Sequence, residues 1–165
     1  MSGNFSKDDL ERKITLKAGD KAPDFSAKNA DEVSINLSDF VGKKVILYFY
    51  PKDMTPGCTK EACEFSEFYA DFKEKNTIII GISPDSPSTH EKFLAKHDLK
   101  HILLSDENHE ISKLYGVWQV KKNYGKEYLG IVRTTFVIDE KGDILKVYKS
   151  VKVAGHASRV LAELS

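Results

Sequence analysis

Sulfur is scarce in this sequence, since its 165 residues include only two cysteines and two methionines. Two cysteines cannot build the dense disulfide framework that holds small extracellular domains together. A structural zinc site commonly takes four Cys or His ligands in closely spaced pairs. Two cysteines five positions apart with scattered histidines do not fit that pattern. We therefore expect no metal site, and a fold that depends on an ordinary hydrophobic core.

The sequence also lacks a long apolar segment and an excess of either charge. Its longest apolar runs, VILYFY and IIIGI, are far shorter than the roughly 20 residues needed to cross a bilayer. Lys and Arg total 25, as do Asp and Glu, and the signs are mixed along the chain. The N-terminal residues MSGNFSKDDLERK contain no apolar signal core. We expect a cytoplasmic protein that binds neither nucleic acid nor a membrane.

Apolar residues are nevertheless plentiful enough for one sizeable core. They make up 41% of the chain and include nine Phe and seven Tyr. Continuous β-branched and aromatic runs predict buried strands at residues 45–50 and 77–83. Apolar residues at helical spacing predict a helix over residues 58–72. Residues 134–138 and 144–148 flank the turn DEKGD and predict a hairpin.

The predicted elements follow the order β-α-β-α-β-α-β-β-α, which indicates an α/β domain with a central mixed sheet flanked by helices. Two features favour a thioredoxin-like fold. A strand and a loop are followed by a helix that begins with a cysteine, and a hairpin comes later in the chain. Periodicity alone leaves a flavodoxin-like sheet open. We expect residues 1–15 to be a polar extension and residues 16–165 a single domain.

The histidines lie in polar, helix-rich segments, and we expect them at the surface rather than as ligands. They are His90, His97, His101, His109 and His156. The single tryptophan, Trp118, is expected to pack near the functional site without taking part in its chemistry.

Both cysteines fall in the stretch YPKDMTPGCTKEAC, residues 50–63. Cys58 is predicted at a helix start, where unpaired N–H groups and a partial positive charge stabilise a thiolate. Thr55 could accept a hydrogen bond from a peroxide and donate one to sulfur or oxygen, while Pro51 could shield the thiolate from water. Arg133 precedes a buried strand and could bring a permanently charged guanidinium to the site. These groups suit a thiol that attacks a peroxide.

The second cysteine, Cys63, is too far from Cys58 for a disulfide while the helix is intact. Residues five apart on an α-helix have Cα atoms roughly 8.6 Å apart, whereas a disulfide needs about 4.4–6.8 Å. We hypothesise that the first turn or two unwinds after Cys58 is oxidised, which lets Cys63 attack. The polar TKEA between them, with Gly57 before it, should make this unwinding easy.

The stretch YFYPKDMTPGCTKEAC closely resembles the Pro-x-x-x-Thr-x-x-Cys signature of peroxiredoxins. With a second cysteine five positions after the first, the stretch resembles the peroxiredoxin Q, or bacterioferritin comigratory protein, subfamily. The similarity continues through LKAGDKAPDF, LLSDENHEISKLYGVW, YGKEYLGIVRTTFVIDEKG and GHASRVLAEL, and so covers about residues 16–165. It implies a thiol-dependent peroxidase for hydrogen peroxide and alkyl hydroperoxides.

The same resemblance implies a role for each site residue. Cys58 would be the peroxidatic cysteine, and Cys63 the resolving cysteine that gives an intramolecular disulfide. Thioredoxin or a similar dithiol protein would reduce that disulfide. Pro51, Thr55 and Arg133 fall on the family's other active-site positions. The resemblance implies no cofactor, and a monomer or at most a weak dimer.

Two other functions stay open from the residues alone. A thioredoxin-like disulfide exchanger usually carries its cysteines as Cys-x-x-Cys, whereas four residues separate them here, and it would not need Thr55 or Arg133. A redox-controlled binding protein or holdase would expose FSEFYADF when an oxidised helix unwinds, although any core helix would permit that.

Overall fold

Nine strands and six α-helices are distributed along residues 5–164, the part of the chain that the computed structural model describes. The strands are β1 (Ser26–Asn29), β2 (Ser34–Asn36), β3 (Lys44–Phe49), β4 (Thr77–Ser83), β5 (Ile102–Ser105), β6 (Trp118–Asn123), β7 (Lys126–Ile131), β8 (Thr134–Ile138) and β9 (Ile144–Tyr148). The helices are α1 (Lys7–Glu11), α2 (Pro56–Glu67), α3 (Tyr69–Glu74), α4 (Pro87–His97), α5 (Glu110–Leu114) and α6 (His156–Glu163).

Seven of these strands form one mixed sheet in the order β2-β1-β5-β4-β3-β8-β9. Strands β3, β4 and β5 are parallel, while β8 runs antiparallel to β3. Strands β6 and β7 form a separate hairpin. The predicted central mixed sheet flanked by helices is confirmed, and with it the thioredoxin-like fold.

The central strand β3 is buried on both faces, which explains its continuous apolar run. Val45, Leu47 and Phe49 point into one core cluster. The alternate residues Ile46 and Tyr48 belong to a second cluster on the other face. Because successive side chains of a strand point to opposite faces, one short segment contributes to both cores and orders the layers on either side.

The helices are short and lie on both faces of the sheet. Ala62 and Phe65 of α2 share one cluster with Phe93 of α4 and Val160 of α6. Ile111 of α5 belongs to the cluster on the opposite face. Within residues 5–164, no helix combines the length and apolar character that a membrane crossing requires.

Local patterns predicted several element bounds, although the strand predicted at 45–50 lies one residue earlier, at Lys44–Phe49, and α1, β1 and β2 were not in the predicted order. Strands 77–83, 134–138 and 144–148 are confirmed to the residue. The single helix predicted over 58–72 is wrong, since α2 ends at Glu67 and α3 begins at Tyr69. The β6–β7 hairpin was absent from the predicted order, because its strands are mostly exposed or half-buried and carry little apolar patterning.

The expectation of five surface histidines is wrong for three of them. His90, His101 and His156 are at most 4% exposed. His101 bonds to Tyr48 Oη at 2.7 Å, and His156 Nε2 to Thr135 Oγ1 at 2.9 Å. Burial lowers the pKa of His101 to about 3 and of His156 to about 4, so both are neutral at pH 7. The polar sequence around them does not reveal this burial, which comes from elements distant in sequence.

The segment before the sheet packs against the hairpin and the core. Arg12 donates a hydrogen bond to the Trp118 carbonyl at 3.0 Å. Ile14 and Leu16 pack partly buried against the core cluster that contains Phe49. Residues 1–4 of the predicted N-terminal extension, and residue 165 of the predicted domain, lie outside the described residues.

Gly81 in β4 is required by the close approach of the Tyr48 ring. A Cβ at this position would lie 2.7 Å from Tyr48 Cζ. The ring cannot easily move away, because its hydroxyl bonds to His101 and its face stacks on Phe65 at 4.7 Å. We expect Gly81→Ala to lower the free energy of unfolding by about 1–3 kcal/mol, measured as a lower urea midpoint at an unchanged m-value.

The matched control is Gly130→Ala in β7. There the nearest atoms to the new Cβ would be Lys121 Cδ at 3.1 Å and the ring of the exposed Tyr128 at 3.2 Å, and both are side chains that can shift. Equal losses of stability in the two variants would contradict the role of Tyr48.

Candidate active site

The loop after β3 delivers Cys58 to the first turn of α2. Strand β3 lies inside the sheet between β4 and β8, and its carboxyl end leads through residues 50–55 into the helix. Pro56 is the first helical residue, where its fixed φ suits helix initiation. Cys58 is the third residue of α2 and is 2% exposed. The unpaired N–H groups and partial positive charge of the helix start therefore lie beside the sulfur.

Arg133 reaches the same point from another strand. Thr134, the first residue of β8, pairs with Phe49, the last residue of β3. The preceding residue, Arg133, is therefore held next to the end of β3, and its Nη2 donates to Cys58 Sγ at 3.2 Å. Two residues 75 positions apart thus form a direct contact between a guanidinium and the sulfur.

Glu61 completes a buried charged group that the sequence analysis missed. Its Oε1 accepts from Arg133 Nη1 at 2.5 Å, its side chain is 1% exposed, and its Oε2 has no hydrogen-bond partner. Burial raises the pKa of Glu61 to about 7, although Arg133 acts to lower it. An acidic residue three positions after Cys58 on the buried helix face was the available signal.

The charge on Arg133 is strongly retained in this surrounding. Burial acts to lower its pKa, but Glu61 and Cys58 outweigh that effect and raise the pKa of the guanidinium. Lys121 of β6 is a second cation that the sequence analysis missed. Burial and the nearby Arg133 lower the pKa of Lys121, and its Nζ donates to the Ile131 carbonyl at 2.9 Å.

The loop itself carries Pro51 and Thr55. Thr55 is the N-cap of α2 but makes no side-chain capping bond. Its hydroxyl donates to the Lys52 carbonyl at 2.8 Å, and so not to the sulfur, while its oxygen lone pairs remain available to accept. Met54, just before it, has a φ of 68°, in the left-handed region. Pro51 is half-buried at the end of β3.

Cys63 is half-buried on the same helix, and both cysteines are free thiols. Helix α2 is continuous from Pro56 to Glu67, so the two cysteines keep the helical separation of roughly 8.6 Å between Cα atoms. Burial raises the pKa of the Cys63 thiol. In this conformation no bond between the two sulfurs can form.

Trp118 was expected to pack near the site, but it packs against the core cluster on the face of the sheet opposite to the cluster that contains Cys58. It lies partly buried against the core cluster that includes Ile131. Its ring stacks on His109 with centroids 3.8 Å apart.

The groups at the site itself are a thiol at a helix start, a guanidinium in contact with the sulfur, and a hydroxyl oxygen on the loop. Such a set can stabilise a thiolate and a departing oxyanion.

Comparison with known proteins gives the same assignment for almost the whole chain. The model of the AhpC/TSA family matches residues 18–147. Peroxiredoxin Bcp of Bacillus subtilis is 48% identical over 151 residues, which are 92% of this chain and 96% of that protein. A peroxiredoxin sequence is therefore similar to this one along nearly its full length.

Solved structures agree with the sequence comparison. Xanthomonas campestris peroxiredoxin Q has a TM-score of 0.84 and 36% identity, covering 89% of this chain and 96% of that one. The bacterioferritin comigratory protein of the same organism, in a structure concerned with its alkyl peroxide reduction activity, has a TM-score of 0.84, 35% identity and the same coverage.

Two further structures of the Xanthomonas protein each carry one cysteine replaced by serine. Those two cysteines lie much farther apart in its sequence than Cys58 and Cys63 do here. The spacing of the cysteine pair therefore differs between the two proteins, whereas the fold is shared. By its family match, its relatives and its fold, the chain belongs to the AhpC/TSA family and is a thiol peroxidase of the Bcp and peroxiredoxin Q subfamily.

Proposed function

We propose that this peroxiredoxin reduces hydrogen peroxide and alkyl hydroperoxides with Cys58 as the peroxidatic cysteine. The main support is the contact of 3.2 Å between Arg133 Nη2 and Cys58 Sγ at the start of α2. A cation at that distance stabilises the thiolate and can also stabilise the negative charge on the departing oxygen. A thioredoxin-like disulfide exchanger would not require this guanidinium, so the contact favours the peroxidase.

In the first step the Cys58 thiolate attacks the terminal oxygen of the peroxide. The S–O bond forms as the O–O bond breaks, and the sulfur becomes a sulfenic acid. The other oxygen leaves as hydroxide or alkoxide and takes up a proton to give water or an alcohol. In this scheme Thr55 accepts a hydrogen bond from the peroxide, Arg133 stabilises the departing charge, and Pro51 shields the sulfur from water.

In the second step the Cys63 thiol attacks the sulfenic acid, which forms the disulfide and releases water. Part of α2 must unwind first, and its contacts suggest which part. Ser66 Oγ bonds to His101 Nδ1 at 3.0 Å, and Glu64 Oε1 accepts from the Gly155 N–H at 3.2 Å. These contacts hold the second half of the helix, so unwinding should be confined to the turns before them.

We further propose that the chain acts as a monomer and that thioredoxin or a similar dithiol protein reduces the disulfide. Exchange with an external dithiol needs an accessible sulfur. Cys63 is the more exposed of the two cysteines, which suits it to receive the reductant after unwinding. We assign these roles to the domain at residues 16–165.

The roles of the cysteines are tested by single-turnover consumption of hydrogen peroxide. We expect Cys58→Ser to abolish the fast reaction, because it removes the nucleophile. Cys63→Ser should keep the first turnover and accumulate a sulfenic acid that dimedone traps. Comparable slow rates in the parent and both variants would mean that neither thiol is activated.

Unwinding is tested by hydrogen exchange of the reduced and oxidised protein. We expect exchange across residues 57–64 to rise on oxidation, because a disulfide between these positions breaks the first turns of α2. Strand β4, residues 77–83, serves as the control and should stay protected in both forms. A disulfide formed with unchanged protection of residues 57–64 would contradict the proposal.

The burial of Glu61 makes stability depend on pH. Its pKa in the folded protein, about 7, lies above the ordinary 4.5, so folding favours the protonated form. This stabilising effect is complete below about pH 4.5 and is lost as the pH rises through about 7. We expect the free energy of unfolding, parent minus Glu61→Gln, to fall by on the order of 3 kcal/mol between these limits.

Urea denaturation across pH 4.5–8 measures this difference. Glu67→Gln is the control, because Glu67 lies on the exposed side of the same helix. A parent-to-Glu61→Gln difference that stays constant over the range would contradict a buried ionisation at this site.

A further inference from the structure

A carboxylate is buried inside the loop that precedes the reactive cysteine. Asp53 is 3% exposed, although it lies in the loop between the carboxyl end of β3 and the start of α2. Both of its oxygens are engaged, since Oδ1 accepts from Tyr50 Oη at 2.6 Å and Oδ2 lies 2.6 Å from His90 Nδ1. A buried carboxylate with two short hydrogen bonds ties the loop firmly to its partners.

His90 connects the loop to helix α4 and to strand β5. It lies on α4, is 0% exposed, and its Nε2 is 3.0 Å from the Leu104 carbonyl in β5. A carbonyl oxygen can only accept, so Nε2 bears a hydrogen. The imidazole therefore joins the loop, α4 and β5 through its two ring nitrogens.

The backbone of the loop is fixed at the same residue. The Asp53 N–H donates to Asp85 Oδ2 at 2.8 Å, and Ser83 Oγ donates to the same oxygen at 2.6 Å. The next residue, Met54, has a φ of 68°, a backbone angle that residues other than glycine rarely adopt. A strained residue of this kind persists where its surroundings hold it, and Asp53 supplies bonds from both its side chain and its backbone.

Asp53, Asp85 and His90 also have the ligand types of a metal site, with suitable atoms within 4.8 Å of one another. The geometry favours a hydrogen-bonded pair instead. Asp53 Oδ2 and His90 Nδ1 are 2.6 Å apart, whereas two ligands of one tetrahedral zinc would be about 3.4 Å apart. The short contact is that of a direct hydrogen bond between the two side chains.

We propose that the Asp53–His90 pair positions Thr55 for the peroxide by holding the loop in its strained conformation. Thr55 follows Met54, and its hydroxyl donates to the carbonyl of Lys52. Lys52 and Met54, on either side of Asp53, thus orient the Thr55 hydroxyl. Holding Asp53 in place therefore fixes the direction of that hydroxyl. Both members of the pair are positioning residues that act through the loop. The inference rests on the proposed function, in which Thr55 accepts from the peroxide.

Two substitutions of His90 separate its two hydrogen bonds. In His90→Asn the amide nitrogen falls near the place of Nδ1 and keeps the bond to Asp53. In His90→Gln it falls near the place of Nε2, which keeps the bond to Leu104 and loses the bond to the loop. Both variants lose one hydrogen bond and the ring, so they are matched in everything but the contact at issue.

Each variant is made in a Cys63→Ser background, so that Cys58 is the only thiol. Two reactions are followed: oxidation by hydrogen peroxide and alkylation by iodoacetamide, which needs the thiolate but not an oriented peroxide. We expect His90→Gln to slow oxidation about 10- to 100-fold, since small displacements of a positioned group have effects of this size. Its alkylation rate should stay within about twofold of the parent, and His90→Asn should recover most of the oxidation rate.

Tyr50→Phe is a milder variant, because it removes only the hydroxyl that donates to Asp53 Oδ1. It should show the same selective loss of oxidation with a smaller magnitude. Ser112→Ala controls for loss of a buried hydrogen bond elsewhere, since Ser112 Oγ donates to Asp106 Oδ2 at 2.7 Å on α5. It should leave both rates at the parental value.

Equal slowing in His90→Asn and His90→Gln, or a parallel fall of oxidation and alkylation, would overturn the positioning role. So would parental oxidation rates in both His90→Gln and Tyr50→Phe. If the Cys63→Ser parent itself reacts with peroxide no faster than a free thiol, the proposed function fails rather than the positioning role.

Discussion

The pairing of β8 with β3 is the constraint on which the active site depends. Phe49 and Thr134 are partners at the end of these two antiparallel strands. The residue after Phe49 in β3 begins the loop to Cys58. The residue before Thr134 in β8 is Arg133. Because a one-residue slip in register would turn every side chain to the opposite face, the buried alternation of β3 fixes the guanidinium beside the sulfur.

The charges at this point are arranged for a buried anion. Arg133 donates to both Cys58 Sγ and Glu61 Oε1, so one cation serves two groups that can be negative. Glu61 keeps the guanidinium oriented, while its own burial favours its neutral form near pH 7. A site of this kind holds a thiolate at little cost of reorganisation, since the cation and the helix start are in place before the substrate arrives.

Two polar networks flank the start of α2, and they hold different parts of the chain. The first holds the loop before the helix through Asp53 and His90. The second holds the later part of α2 through Ser66 and His101. Between them lie the two cysteines, on turns that Arg133 holds through Cys58 and through the buried Glu61, so the polar TKEA segment is more firmly held than its sequence predicts. In the proposed mechanism, unwinding breaks these Arg133 contacts, while the bonds of the loop and of the later part of α2 are kept.

Local sequence patterns were enough to predict the class of fold, the strands at 77–83 and 134–138, and the position of Cys58 at a helix start. These features depend on periodicity and on a motif of neighbouring residues, so a linear reading contains them. The burial of His90 and Glu61 is seen only in the tertiary structure, as is the direct bond to the sulfur from Arg133, which the sequence had placed at the site. Burial and pairing of a polar side chain are set by elements brought together from distant parts of the chain, so the neighbouring sequence carries at most a weak signal, such as the helical spacing of Glu61 from Cys58.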